Sequence, residues 1–152
     1  MGFDLKPNNE EAGSFHMGAF SFPWMLGAGV GLVIGYGKLE GASFVYDPRE
    51  VTHKNEDTGE THTFATSPNC NDGYPVTAEE AMAMAHAAHG LVNVERYVRR
   101  MWDERPAEER ARIEAMRFDD PRRPRMPVRE DFIEKVEQFS EWVAKSGGFE
   151  IY

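Results

Sequence analysis

Cysteine is all but missing: Cys70 stands alone in 152 residues. With no partner in the chain it excludes an intrachain disulfide and makes a reducing compartment the natural setting. No basic segment precedes an early apolar run, so no cleavable secretory signal is expected. Positive charge is scarce too. The formal net charge is −9, and residues 1–90 hold 4 Lys/Arg against 12 Asp/Glu, while residues 91–152 hold 13 against 14. So acidic a first part argues against general nucleic-acid binding, which needs cations to release counterions. A nucleic-acid mimic stays open, though plain solubility accounts for the same charge. An uninterrupted apolar span is lacking as well. Residues 17–37 carry no charge, but six glycines and Pro23 break them up. A membrane helix needs about twenty apolar residues, and each interior glycine costs a helix about 1 kcal/mol, so no membrane partner is expected. Gly27-Ala28-Gly29-Val30-Gly31 does not fit the dinucleotide fingerprint, and there is neither a G-x-S-x-G elbow nor a clear carboxylate pair.

What is present is organised around one long helix over 78–102. Thr77 as N-cap with Glu80 three residues on is a capping box, preceded by the turn Asn71-Asp72-Gly73-Tyr74-Pro75. Ala81, Met84, Ala85, Ala88, Leu91, Val92 and Val98 recur at helical spacing as an apolar stripe. Beside it run Met82, His86, His89, Asn93, Arg96 and Arg100.

Met1–Leu5 reads as a strand stopped by Lys6-Pro7-Asn8-Asn9. The glycines at 27, 31 and 35 suggest a buried helix from near Pro23, closely packed through them. Ala42–Tyr46 reads as a strand, and Val51–Lys54 with Glu60–Ala65 as a hairpin. A helix begins at Arg105-Pro106; Asp119–Pro127 is an extended, salt-bridged connector whose arginines offer a less favoured phosphate clamp. Pro127–Ser146 is an amphipathic helix stopped by Gly147-Gly148, and Phe149–Tyr152 a closing strand that pairs with the N-terminal ones. The class is α+β: a small antiparallel sheet (N-terminal strands, hairpin 51–65, C-terminal strand 149–152) on three or four helices, one domain over 1–152.

Several groups suggest chemistry, each beside a plainer reading. His86 and His89 at i, i+3 with Asn93 and Arg96 suit a metal or an anionic ligand, but H-x-x-H without the zincin glutamate is weak, and a solvated flank is the alternative. Asn71-Asp72 sits at the helix N-terminus, where anions are favoured, yet an Asx turn leading into the cap explains it equally. His53 and His62 face one another on the hairpin with no third ligand evident. Asp4 lies on the first strand, where a solvent face is the ordinary reading.

Gly2-Phe3-Asp4-Leu5, Gly13-Ser14-Phe15-His16-Met17-Gly18-Ala19-Phe20-Ser21-Phe22-Pro23-Trp24, Asn71-Asp72-Gly73 with Val76-Thr77-Ala78-Glu79-Glu80-Ala81, and Ser146-Gly147-Gly148-Phe149-Glu150-Ile151 resemble the signatures of a family of small bacteriophage and prophage proteins with no settled activity. The resemblance implies a phage-like accessory protein in the bacterial cytoplasm. It suggests a non-catalytic binder of a small nucleotide, another anionic ligand or a host protein, one that counters a host defence process. A ligand site would draw on Asp4, His16, Trp24, Asn71, Asp72, His86, His89 and Arg96, with Trp24 stacking on a base. The alternatives are a metal-dependent hydrolase using His16, His86, His89 and Asp72, and a purely structural or protein-interaction domain. No cofactor or resident metal is expected, and self-association is left open.

Overall fold

The computed structural model describes residues 2–38 and 44–152, Lys38 by its backbone alone. Strand β1 (Gly2–Pro7) alternates buried and exposed side chains, sending Phe3 and Leu5 inward and Asp4 and Lys6 outward. It pairs antiparallel with β2 (Phe15–Gly18), so that Asp4 stands opposite His16. Its other edge receives the closing strand, β8 (Phe149–Ile151) in chain order.

Helix α1 (Ser21–Gly27) follows β2, then a 3₁₀ segment over Val30–Ile34. One helix running on from Pro23 through the glycines is therefore not what forms. The break falls at Gly29, whose φ of 120° lies outside any helix. The expected burial survives the break: Phe22, Met25, Leu26, Val30 and Ile34 are all in the core.

Two short strands, β3 (Gly37–Lys38) and β4 (Phe44–Val45), pair with one another; of the strand expected over Ala42–Tyr46, positions 42 and 43 lie outside the described residues. The hairpin comes next, β5 (Arg49–Lys54) with β6 (Thr61–Thr66), and sets His53 opposite His62. It is a sheet of its own rather than an extension of the main one. Strand β7 (Tyr74–Val76) instead closes the main sheet in the order β2-β1-β8-β7. Pro75 in β7 has no N–H to extend a ladder, and its carbonyl is taken by the Arg49 guanidinium.

The long helix α2 (Ala78–Asp103) begins at the expected capping box. Thr77 Oγ1 accepts from Glu80 N at 3.2 Å and Glu80 Oε2 accepts from Thr77 N at 2.9 Å. Helix α3 (Ala107–Glu114) buries Ile113. Helix α4 (Glu130–Val143) lays Ile133, Val136, Phe139, Trp142 and Val143 on α2 and the sheet. Its end is held from a distance: Asn8 Nδ2 donates to Gly147 O at 3.2 Å and Asn9 Nδ2 to Lys145 O at 3.0 Å. Gly147 and Gly148, with φ of 66° and 92°, supply the left-handed turn into β8. Beneath α4 an aromatic cluster of Phe15, Phe139, Trp142 and Phe149 joins helix to sheet. Among the described residues no helix is long and apolar enough to cross a membrane.

Candidate functional site

Two regions gather candidate groups. The first is the uncovered face of the main sheet. His16 on β2 and Asp4 on β1 are cross-strand partners, and His16 Nδ1 lies 2.8 Å from Asp4 Oδ1. Both side chains are open to solvent, at 60% and 66% exposure. Beside them Asn71 Nδ2 donates to Gly2 O at 3.4 Å, and His53 Nε2 lies 3.3 Å from Asp72 O. Tyr152 stands across from Asp4 through paired backbone bonds and donates its hydroxyl to Glu150 at 2.7 Å. Its ring carries Lys6 Nζ at 3.8 Å. Four of the eight expected residues, Asp4, His16, Asn71 and Asp72, thus belong to this face and its adjoining turn.

The remaining residues lie elsewhere. His86 and His89 are exposed on α2 and make no side-chain hydrogen bond among the described residues. Arg96, two turns further, forms a bidentate pair with Glu137 of α4 at 2.8 and 2.7 Å. This bond holds the Glu137 carboxyl below its ordinary range and raises the guanidinium. Arg96 here ties two helices together. Among the described residues no three His, Cys, Asp or Glu side chains gather as a metal would require, so His16, His86, His89 and Asp72 are not brought around one point.

The second region is built on Trp24. Between the starts of α1 and α4 opens a cleft of ≈ 520 Å³, walled by Phe20, Trp24, Val128 and Phe132 with Arg129 and Lys135 at its rim. Trp24 meets Phe132 edge to face at 4.5 Å. On the far side of Trp24 a second cleft of ≈ 470 Å³ runs past Pro23, Tyr36 and Phe44 to Arg125. A third, of ≈ 370 Å³, continues from Ala28 and Arg125 to Ala87, Leu91 and Val94. The three adjoin through shared walls and are taken together as the Trp24 groove. Trp24 belongs to the first two, Ala28 and Arg125 to the last two.

The groove is open and aromatic. Phe20 is 92% exposed and Trp24 38%, where an apolar side chain of this size ordinarily seeks cover. Among the described residues its lining holds three cations, Arg125, Arg129 and Lys135, against the single carboxylate of Asp131, in a protein of net charge −9. Arg129 already bonds Asp131, at 3.0 and 2.5 Å. Lys135 rests over the Phe15 ring at 4.3 Å and has no carboxylate within 4 Å among the described residues.

Of these residues sequence reasoning singled out Trp24, and Arg125 and Arg129 only as parts of a less favoured phosphate clamp on the connector. Phe132 fits the amphipathic stripe of α4 and reads as core. Phe20 carries the one available signal, a large aromatic four residues before a tryptophan in a chargeless stretch.

No family model, curated protein or solved structure gives a significant match to the chain.

Proposed function

We propose that the protein is a non-catalytic binder that engages a partner protein through the Trp24 groove. The observation that carries this reading is a row of three open clefts that adjoin through shared residues, two of them aromatic, with cations in each lining. Pockets for small ligands are mostly enclosed and bury 70–90% of their guest, by rough general experience. A track whose first wall, Phe20, stands almost wholly in solvent suits an apolar segment of another protein better. Aromatic anchors beside cations are also the residues that dominate protein interfaces. The resemblance to phage and prophage proteins supports a setting in the bacterial cytoplasm and a host protein as target.

The test is photo-crosslinking from two positions in bacterial lysate, Phe20 in the groove and His86 on the α2 flank. The groove reading expects one protein captured from position 20, lost with Trp24→Ala, and confirmed by binding to the purified partner. Capture from position 86 alone, indifferent to Trp24, would sink it.

A second reading rests on the Asp4–His16 bond of 2.8 Å. An aspartate that fixes a ring leaves its other nitrogen directed for a ligand or a proton, so a small anionic ligand, such as a nucleotide, can be placed on the sheet face. Native mass spectrometry of protein purified from bacterial lysate separates the two. A stoichiometric nucleotide-sized adduct that vanishes in His16→Ala would favour the second.

A further inference from the structure

Arg125 sits where the second and third clefts meet and lines both. It is held there by Glu95, which lies on α2 with its side chain 1% exposed. One Arg125 Nη2 bond goes to Glu95 Oε1; the Arg125 side chain is itself half-exposed. Among the described residues no other acceptor takes a hydrogen from this guanidinium. A guanidinium has five N–H donors in a fixed planar fork. Glu95 therefore uses a small part of the fork and anchors it at one point; its other oxygen, Oε2, is buried without a partner among the described residues and leaves donors of the fork to spare even if it takes one more.

We propose that Arg125 is the carboxylate-reading anchor of the groove, and that the partner segment carries an Asp or Glu side chain between two apolar ones. This rests on the groove reading and adds the chemistry of the occupant. The apolar side chains fill the clefts on either side, one against Trp24 and Phe44, the other against Ala87, Leu91 and Val94. The carboxylate accepts two parallel N–H bonds from the free edge of Arg125. Since Arg125 and Glu95 together are neutral, discrimination comes from that donor geometry more than from net attraction. Lys135 at the far cleft adds a weaker preference for acid on that flank, Arg129 there being paired with Asp131. The orientation cost that a flexible surface arginine pays is lowered in advance, because a buried carboxylate already anchors one end of the fork.

The experiment is selection of a displayed library of random sixteen-residue peptides on the intact protein, followed by affinity measurements with the synthetic winners. The expected winners need Trp24 and carry an acid between apolar residues. Changing that acid to its amide weakens binding about tenfold or more, the scale of a charge-assisted bidentate contact. Because Arg125→Met alone strands a buried carboxylate, the paired variant Glu95→Gln with Arg125→Met is used. In that background the acid and amide peptides bind within about twofold of each other. Winners that need Trp24 but accept the amide equally well in the wild type overturn the anchor and leave the groove reading standing. Winners indifferent to Trp24→Ala, or none at all, overturn both.

Discussion

The sheet face and the Trp24 groove differ in how their groups are satisfied. On the sheet face most polar groups already have a partner: His16 has Asp4, Tyr152 has Glu150, and Lys6 lies on the Tyr152 ring, while the Asp72 side chain has none among the described residues. A ligand arriving there must replace bonds already made, so its net gain is small. In the groove Phe20 is uncovered and Trp24 partly so, while Lys135, like Lys6, lies on an aromatic ring and has no carboxylate within reach among the described residues. Covering those groups removes apolar surface from water at roughly 25 cal/mol per Å² and pairs a cation. Polar residues caught the eye in the sequence, but the unsatisfied surface supports the binding reading more strongly.

The largest effect tests the frame that both regions share. Phe139 is fully buried and touches Phe15 of β2 as well as Phe149 of β8. Phe139→Ala should cost about 3–5 kcal/mol in denaturant unfolding and loosen the two regions together. If the groove stayed intact while the sheet face frayed, they would not be one cooperative structure.

Trp24→Ala comes next, and its effect should divide. At 38% exposure its contribution to folding is modest, whereas the loss of partner affinity should reach about 2 kcal/mol or more, as for a central aromatic anchor. Asp4→Asn and His16→Gln should leave that affinity within about twofold. Titration calorimetry with the captured partner distinguishes the cases, and the reverse pattern would move the site to the sheet face.

The frame was legible in the sequence and the groove was not, for a physical reason. Thr77, Glu80 and the α2 stripe are local signals, set by hydrogen bonds and periodicity within one helix, and they hold to within a residue. Gly147-Gly148 and the alternation at Phe149–Ile151 are equally local. The partner of Asp4 is a neighbour across a tight β1–β2 pairing that reading along the chain does not reveal. The groove is less legible still. It joins α1, α4 and the connector before α4, about a hundred residues apart in the chain, and its aromatics look like core until the packing leaves them half outside. The break in the glycine-rich stretch illustrates the same limit: spacing four apart suits a helix, and only the turn at Gly29 shows that the chain leaves one.

A mid-sized effect concerns the tether of the hairpin beside the sheet face. Arg49 Nη1 and Nη2 bond Glu80 at 2.7 and 2.5 Å, and Arg49 also reaches Pro75 O at 2.5 Å. These bonds hold the Glu80 carboxyl below its ordinary range, Arg49 contributing most. In the unfolded chain the group titrates near pH ~4.3. Its stabilisation is therefore complete above that value and is lost as pH falls through the lower folded-state value. Glu80→Gln should cost roughly 1–2 kcal/mol at neutral pH, and the variant's acid unfolding curve should be shallower. Part of the acid slope should persist, because Arg96 and Arg122 likewise hold Glu137 and Asp120 low. A curve parallel to wild type would mean that Glu80 is not tethered in solution.

The smallest effect falls on the Asp4–His16 pair, and its smallness is informative. Exposed pairs of this kind contribute about 0–1 kcal/mol, because solvent screens them and the side chains lose entropy in meeting. Asp4→Asn should therefore shift the unfolding midpoint hardly at all. The histidine still reports on the bond: with the aspartate gone, the His16 ring loses the acceptor that orients Nδ1, and its ring ¹⁵N signals should show the fixed tautomer and orientation relax. Ring signals that change while stability does not would mark the pair as built for something other than holding the fold, which raises the sheet-face reading. Neither moving would mean the bond is absent in solution, and that face would then carry no organised site to set against the groove.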